Sequence, residues 1–287
     1  MPELPEVESV VRQLAPRLRG RRLREVELLD PRLRRADFRP ALGGTVERVI
    51  RIGKQVEIRL RETRGCGNIR LLCHLRMTGR LVWLARDETP RETRHLRARL
   101  RFDGGELLFI DPRRFGTLRF VPEGCEAPAA GLEPLSRACT PVRLSGLLAR
   151  SRQELKPWLL RQDRLVGIGN IYASEIAFRA RLHPRRTAGS LRPEEVRRLH
   201  QAVRSVLRRA IRFGGTTFSD FADVSGRSGR FYAMLAVYDR EGRLCRRCRT
   251  PIVRFVQQQR STYCCPRCQP LRRLGMLVAS SRARETR

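Results

Sequence analysis

Hydrophobic and polar residues change their period twice along the chain. Val7, Val10, Val11, Leu14 and Leu18 recur at helical spacing and predict a helix over 5–18 with one buried face. Pro5 suits its first turn, and Glu6 and Glu8 complement the positive end of its dipole. From Leu23 to about Val121 the pattern becomes short apolar or alternating runs, at 46–52, 56–60, 69–72, 81–84, 96–102, 107–110 and 117–121, punctuated by Gly, Pro and Asp. That pattern predicts an antiparallel β-sandwich or barrel. Residues 122–141, with Gly124, Pro128, Gly131 and Pro134 among them, read as a linker. Helical periodicity then returns at 144–150, 157–162 and 171–179, and in a long helix that starts at Arg192-Pro193-Glu194-Glu195 and runs to about Arg212. Gly214-Gly215-Thr216-Thr217 ends that helix, and the Gly- and Ser-rich run at 225–229 reads as a mobile loop. The organisation expected is a sandwich over 1–125, a linker at 126–140, a helical module at 141–238, a cysteine-rich unit at 239–269 and a disordered basic tail at 270–287.

Charge changes the picture. The 61 Lys and Arg residues against 29 Asp and Glu give a formal net charge of +32, far beyond what solubility requires, so the surface seeks polyanions. The apolar runs are too short to span a bilayer, which favours nucleic acid over membrane as the partner. Acidic residues at 3, 6 and 8 argue against a signal peptide, so a cytoplasmic location is expected and most of the nine cysteines should be reduced. All but two of the basic residues are Arg. A codon bias accounts for that, and it leaves Lys54 and Lys156 as positions where a compact, titratable amine has been kept.

Cys245-x-x-Cys248 and Cys265-x-x-Cys268, sixteen residues apart, have the spacing of two knuckles that present four thiolates to one structural zinc. Cys264 completes no knuckle, because Arg267 lies three residues on; Cys66, Cys73, Cys125 and Cys139 have no partner spacing. Arg249, Arg254 and Arg260 lie between the knuckles, so the metal is expected to fix a hairpin that carries cations toward phosphates. At the other end, Met1 precedes Pro2, a residue small enough for the initiator methionine to be trimmed. Trimming exposes a secondary amine, and α-amines titrate near about 7.7–8.0, so part of it is unprotonated at neutral pH. Such an amine can add to a sugar carbon and become an iminium. Glu3 beside it is a candidate proton donor, with Glu6 expected to hold the site by ion pairing.

Six stretches in register resemble the formamidopyrimidine-DNA glycosylase family: Met1-Pro-Glu-Leu-Pro-Glu-Val-Glu8, His74-Leu-Arg-Met-Thr-Gly79, Asp111-Pro-Arg-Arg-Phe-Gly116, Lys156-Pro-Trp158, Gly167-Ile-Gly-Asn-Ile-Tyr-Ala-Ser-Glu175 and the four-cysteine end. The resemblance covers residues 1 to about 269. It implies an amino-terminal β-sandwich, a helical domain with a helix-two-turn-helix element, a zinc-finger hairpin, and double-stranded DNA in the cleft between them. It also implies excision of oxidised purines through a Schiff base, with Pro2 as nucleophile, Glu3 as proton donor, Lys54 in β-elimination and Arg260 in δ-elimination. Flipping the nucleotide out leaves a hole that Met77, Arg113 and Phe115 would fill. His95, Arg152, Lys156 and Asn170 match positions that grip phosphates, and the Gly167-Ile-Gly169-Asn170 turn is expected to offer its amides to one of them. The segment 216–232 should close over the flipped base. Two departures concern specificity: Arg76 stands where the family often has Gly, and Arg227 and Arg230 lie in the base-sensing loop. An endonuclease VIII-like enzyme for oxidised pyrimidines shares the fold, but Leu4 and the wedge trio favour the purine enzyme. A non-enzymatic zinc-containing nucleic-acid binder explains the charge and cysteines and leaves the amino terminus unexplained. A monomer is expected.

Overall fold

The computed structural model describes residues 1–34, 37–61, 67–89, 94–125, 131–216 and 229–271. Helix α1 (Leu4–Leu18) opens the chain and is followed by strands β1 (Leu23–Leu28), β2 (Thr45–Ile52), β3 (Gln55–Arg61), β4 (Ile69–His74), β5 (Arg80–Ala85), β6 (Leu96–Phe102), β7 (Gly105–Ile110) and β8 (Thr117–Pro122). They form two antiparallel four-stranded sheets, ordered β1-β6-β7-β5 and β2-β3-β4-β8. One core cluster joins the inner faces of both sheets (Val49, Ile58 and Leu71 with Leu100, Leu107 and Phe109) to Val7, Val10, Val11, Leu14 and Leu18 of α1. The expected sandwich is thus present, capped by the helix that the first pattern predicts. β1 is the strand that alternation does not isolate. A bulge between Leu23 and Glu25 interrupts its pairing with β6, and only Leu23 and Val26 of the strand are buried.

The second body contains α2 (Pro141–Leu148), α3 (Leu155–Leu160), α4 (Asn170–Ala180) and the 20-residue α5 (Pro193–Arg212). Two helices begin earlier than their periodicity indicates. Thr140 caps α2 by accepting a hydrogen bond from Arg143 N (3.2 Å), so Pro141 occupies its first position; Pro157 is third in α3, still inside the turn that needs no donor. The hairpin of β9 (Val253–Gln257) and β10 (Arg260–Cys264) closes the described chain. Side-chain amides fasten it to the helical body: Gln257 Nε2 donates to Glu154 Oε2 (2.6 Å), and Gln269 Nε2 donates to the Leu182 carbonyl (2.8 Å). The expected loop at 225–229 and the tail from 270 fall largely outside the described residues.

The amino terminus lies where the two bodies meet. Leu4 packs in the helical core with Tyr172 and Ile168, whereas Val7 onward packs in the sandwich. Arg51, at the end of β2, braces the same junction: it is nearly buried, pairs with Glu8 of α1 (3.1 Å) and makes a fork to Glu133 of the connecting segment (2.8 and 2.9 Å).

Candidate active site

Glu3 and Glu6 are both buried, and the structure accounts for each carboxylate. Glu3 accepts hydrogen bonds from the backbone amides of Gly169 (2.6 Å), Ile171 (2.9 Å) and Tyr172 (3.4 Å), so it sits on the positive end of α4. Of the Gly167–Asn170 turn expected to offer amides to a phosphate, Gly169 N is taken by this internal carboxylate and Gly167 N by Gln162 Oε1 (2.9 Å). Glycine is required there because a Cβ on Gly169 would lie 2.4 Å from Glu3 Cδ. Gly167, at φ +87°, turns its carbonyl onto Leu4 N (2.9 Å), and a Cβ on it would strike the Leu4 side chain.

Glu6 accepts from Glu3 N (2.8 Å), the Tyr172 hydroxyl (2.5 Å), Thr216 N (2.7 Å) and Thr216 Oγ1 (3.1 Å). Its hydrogen bonds come from neutral donors, and Lys54 interacts with it through its charge. Burial, then the neighbouring Glu3 charge, push its pKa up to about 7 against those hydrogen bonds. Because the folded value is raised, stability from this group is fully present below about pH 4.5 and is lost as pH rises through about 7. The span corresponds to roughly 3 kcal/mol. Denaturant titrations from pH 4.5 to 8 should therefore show a fall in stability that Glu6→Gln flattens; an unchanged slope in that variant would remove Glu6 as its source.

Two tight turns bring cations to the same place. Gly53 (φ +57°) and Lys54 form the two-residue turn between β2 and β3. Lys54 is 9% exposed, and burial lowers its pKa against the attraction of Glu3, with Arg260 repelling it further. At the tip of the β9–β10 hairpin, Gln258 and Gln259 both adopt left-handed φ (44° and 60°), the geometry of a type I′ turn usually built from Asn-Gly. Arg260 follows at once and is exposed. It also repels Lys156, whose pKa is lowered to about 8, first by burial. Lys156 has no exposed surface: its Nζ donates to Ser261 O and Thr262 Oγ1 (both 2.7 Å), while Asn170 Nδ2 donates to the same Ser261 carbonyl (3.1 Å). These two residues, expected on phosphates, hold the hairpin that carries Arg260. Pro2 is buried at the start of α1, and Met1 emerges from the slot 43% exposed.

Met77 and Phe115 stand out from the sandwich, 44% and 48% exposed, on loops knitted together by the buried Asp111. Its carboxylate accepts from Thr78 Oγ1 (2.5 Å), Gly116 N (2.7 Å) and Arg113 N (3.3 Å), and the Arg113 guanidinium lies 4.8 Å from the Phe115 ring centre. The His95 carbonyl accepts from Asp111 N (2.9 Å), which puts His95 behind the same loop. Arg76 has φ +52°, a left-handed conformation for which glycine is the natural residue, and its amide donates to His74 Nδ1 (3.0 Å). Arg152 is exposed beside α3, and Arg227 lies outside the described residues. Sequence reasoning assigned no role to Tyr172, Thr216 or Glu175. Tyr172 and Glu175 lie in the Gly167–Glu175 motif; Glu175 accepts from the amides of Ala236, Val237 and Tyr238 (2.9 Å each at the shortest), fixing the approach to the cysteine-rich unit.

The sulfurs of Cys245, Cys248, Cys265 and Cys268 lie within 4.8 Å of one another, with Cys248–Cys265 at 3.4 Å and Cys245–Cys268 at 4.0 Å. Tetrahedral zinc with Zn–S bonds of about 2.3 Å requires edges of about 3.8 Å, so the four thiolates fit one structural ion. Comparison with known proteins agrees in every region. The family model for the formamidopyrimidine-DNA glycosylase N-terminal domain matches residues 1–118, that for its H2TH domain matches 130–222, and that for the zinc finger found in FPG and IleRS matches 242–271. The formamidopyrimidine-DNA glycosylase of Symbiobacterium thermophilum is 45% identical, covering 100% of this chain and 95% of that one.

The chain belongs to the formamidopyrimidine-DNA glycosylase family.

A second glycosylase of that name, from Heliobacterium modesticaldum, is 43% identical over 94% of this chain and 100% of its own. Among solved structures, the MutM (Fpg) protein of Thermus thermophilus superposes with a TM-score of 0.82 at 42% identity, covering 93% of this chain and 98% of that one. A MutM in complex with DNA containing carbocyclic 8-oxo-G gives 0.83 at 31% identity, covering 94% and 100%. The glycosylase family fold therefore extends over both bodies and the zinc hairpin.

Proposed function

We propose that this chain excises oxidised purines, such as 8-oxoguanine and formamidopyrimidines, from double-stranded DNA and cleaves the strand at the resulting site. The observation that carries this reading is the burial of Pro2 and Glu3 at the start of the chain, with Glu3 held on the first amides of α4 and Lys54 and Arg260 acting on the same site through their charge. Once Met1 is removed, the Pro2 nitrogen attacks C1′ of the flipped nucleoside, the C1′–base bond breaks and the base leaves with a proton. Burial, the largest influence on Glu3, raises its pKa against Lys54 and the three α4 amides, which suits it to supply the proton that opens the sugar ring. The ring-opened iminium then acidifies C2′. Loss of that proton, moved by Lys54, breaks the C3′–O bond and expels the 3′ phosphate; loss of the C4′ proton from the conjugated iminium then breaks the C5′–O bond and expels the 5′ phosphate. Arg260, whose guanidinium stays charged, clamps that phosphate and assists its departure. Hydrolysis of the iminium releases the sugar fragment and the free amine.

Met77, Phe115 and Arg113 would fill the gap left by the flipped nucleotide, the first two as apolar wedges and the third as a donor to the orphaned base. His95 and Arg152 would hold phosphates nearby, and Lys156 and Asn170 would act through the Arg260 hairpin. Zinc would hold Cys245, Cys248, Cys265 and Cys268 together and take no part in the chemistry. No helix among the described residues is long and apolar enough to cross a membrane. The proposed setting is a monomer acting on the chromosome in the bacterial cytoplasm. Glu3→Gln should slow release of 8-oxoguanine from a defined duplex by roughly 10²–10⁴-fold; excision at the parental rate would refute the role given to Glu3. A preference for oxidised pyrimidines in the same assay would move the chain to the endonuclease VIII reading.

A further inference from the structure

A second recess lies on the helical body, away from the slot that holds Pro2. It has a volume of about 330 Å³ and is walled by the C-terminal half of α4, the middle of α5, the turn at Phe231–Met234 and the first zinc knuckle. Its floor is apolar, formed by Phe178, Val206 and Met234. Its rim is basic: Arg179 and Arg209 stand exposed on the two helices, opposite Arg246 and Arg247 of the knuckle. Arg179 also borders a neighbouring recess of about 410 Å³ lined by Arg181, Arg186 and Arg198, so the two form one tract. Glu3 caps the first turn of α4, and Arg179 is the tenth residue of that helix, about 14 Å farther along its axis.

Arginine richness supplies part of this charge, but several of the sandwich arginines are matched by acids where most of those along this tract are not. On the sandwich, Arg24 pairs with Asp103 (2.6 Å), Arg101 with Glu25 and Glu106, Arg70 with Glu57 (2.7 Å) and Arg114 with Asp30 (2.7 Å). A recess there lined by Arg24, Arg99 and Arg101 also holds Glu88, Asp103 and Glu106. Along the α4–α5 tract, by contrast, none of Arg179, Arg181, Arg198, Arg209, Arg246 and Arg247 has a carboxylate within 4.0 Å among the described residues. The two acids lining it are already engaged. Glu175 is spent on three backbone amides, and Glu195 on Arg192 N (2.9 Å) and Arg186 (3.4 Å). Two rim residues are also held in place: Arg247 lies 4.9 Å from the Phe178 ring centre, and Arg246 donates to the Ala233 carbonyl (2.8 Å). An unneutralised, partly preorganised cationic rim around an apolar floor is built for a ligand that carries both kinds of group.

We propose that this recess docks an extended acidic segment of another protein, its carboxylates on the arginine rim and one large apolar side chain on Phe178, Val206 and Met234. Duplex DNA fits less well, since a phosphodiester backbone offers charge without an apolar group to cover that floor. The site would let a partner protein hold the glycosylase while its cleft stays on DNA.

The test uses the full-length, zinc-loaded protein with its cleft saturated by a short duplex carrying a tetrahydrofuran abasic analogue. The probe is a fluorescein-labelled peptide, Asp-Asp-Asp-Asp-Leu-Phe, read by anisotropy. Binding should persist in the duplex complex, weaken roughly ten-fold or more in Arg179→Glu/Arg209→Glu, and weaken similarly when the peptide ends in Ser-Ser. The double variant should keep the parental rate of 8-oxoguanine excision, which shows that it is folded. Three results would overturn the proposal: displacement of the peptide by the duplex, equal affinity of the double variant, or equal affinity of the all-polar peptide. Loss in the variant of a second bound duplex, with no peptide binding in the parent, would reassign the tract to nucleic acid and overturn it as well.

Discussion

A chain that retains Met1 is expected to form no borohydride-trapped complex with duplex DNA containing 8-oxoguanine, whereas the same chain trimmed to Pro2 traps it. The reason is bonding: in the untrimmed chain the Pro2 nitrogen is an amide, with no lone pair free to attack a sugar carbon. Because Met1 projects from the slot, an uncleaved residue there should leave Glu3 on its three α4 amides and the fold intact. Strand cleavage should fall by roughly 10³-fold or more, with DNA binding kept. Pro2→Gly, which keeps a terminal amine but makes it primary and flexible, should fall between the two. The measurement is mass spectrometry of the amino terminus beside gel trapping of the same samples. Efficient trapping by a fully Met1-retaining sample would transfer the nucleophile to another group and undo the mechanism.

The second large effect concerns the metal. Chelation, or Cys248→Ser, should release one zinc per chain and reduce affinity for abasic-site duplex by roughly 100-fold or more. The hairpin has little core of its own: Val237, Ile252, Tyr263 and the cysteines make a small cluster. Four thiolates without their ion would leave that cluster too small to hold the two strands and the Gln258-Gln259 turn. The change should also reach the helical body, because Lys156 and Asn170 would lose their Ser261 and Thr262 partners and Lys156, now covered by the hairpin, would be opened to solvent. The sandwich should be spared. Hydrogen exchange resolves the two regions: protection should vanish over 253–264 and persist over 96–110. Unaltered affinity and protection after complete metal removal would make the ion dispensable.

Much of this architecture was legible in the sequence, for identifiable reasons. Val7 to Leu18 keep a strict helical period because one face of α1 packs on a single sheet, and the paired Cys-x-x-Cys spacing reflects short-range geometry around one ion. The chemistry-bearing residues were legible as motifs. Their mutual bonding was not, since it depends on contacts between residues about ninety or more positions apart. Glu3 was expected beside a sugar, and its attachment to the amides of Gly169, Ile171 and Tyr172 followed only from the packing of α1 against α4. Lys156 was singled out by composition and expected on a phosphate, yet the hairpin strand that closes over it comes from residues 260–264. Arg51 carried no local signal. Its importance lies in a fork to Glu133, beyond the whole sandwich.

The allegiance of Leu4 to one core and of Val7 to the other bears on how a duplex is admitted. Opening by a swing of one half away from the other would have to bend the first turn of α1 or lift Glu3 off the start of α4. The future nucleophile is thus moored to the helical half while its helix is anchored in the sandwich. A hinge compatible with that mooring turns about the chain start itself, so the reacting nitrogen lies near the pivot, where a change in jaw angle displaces it least.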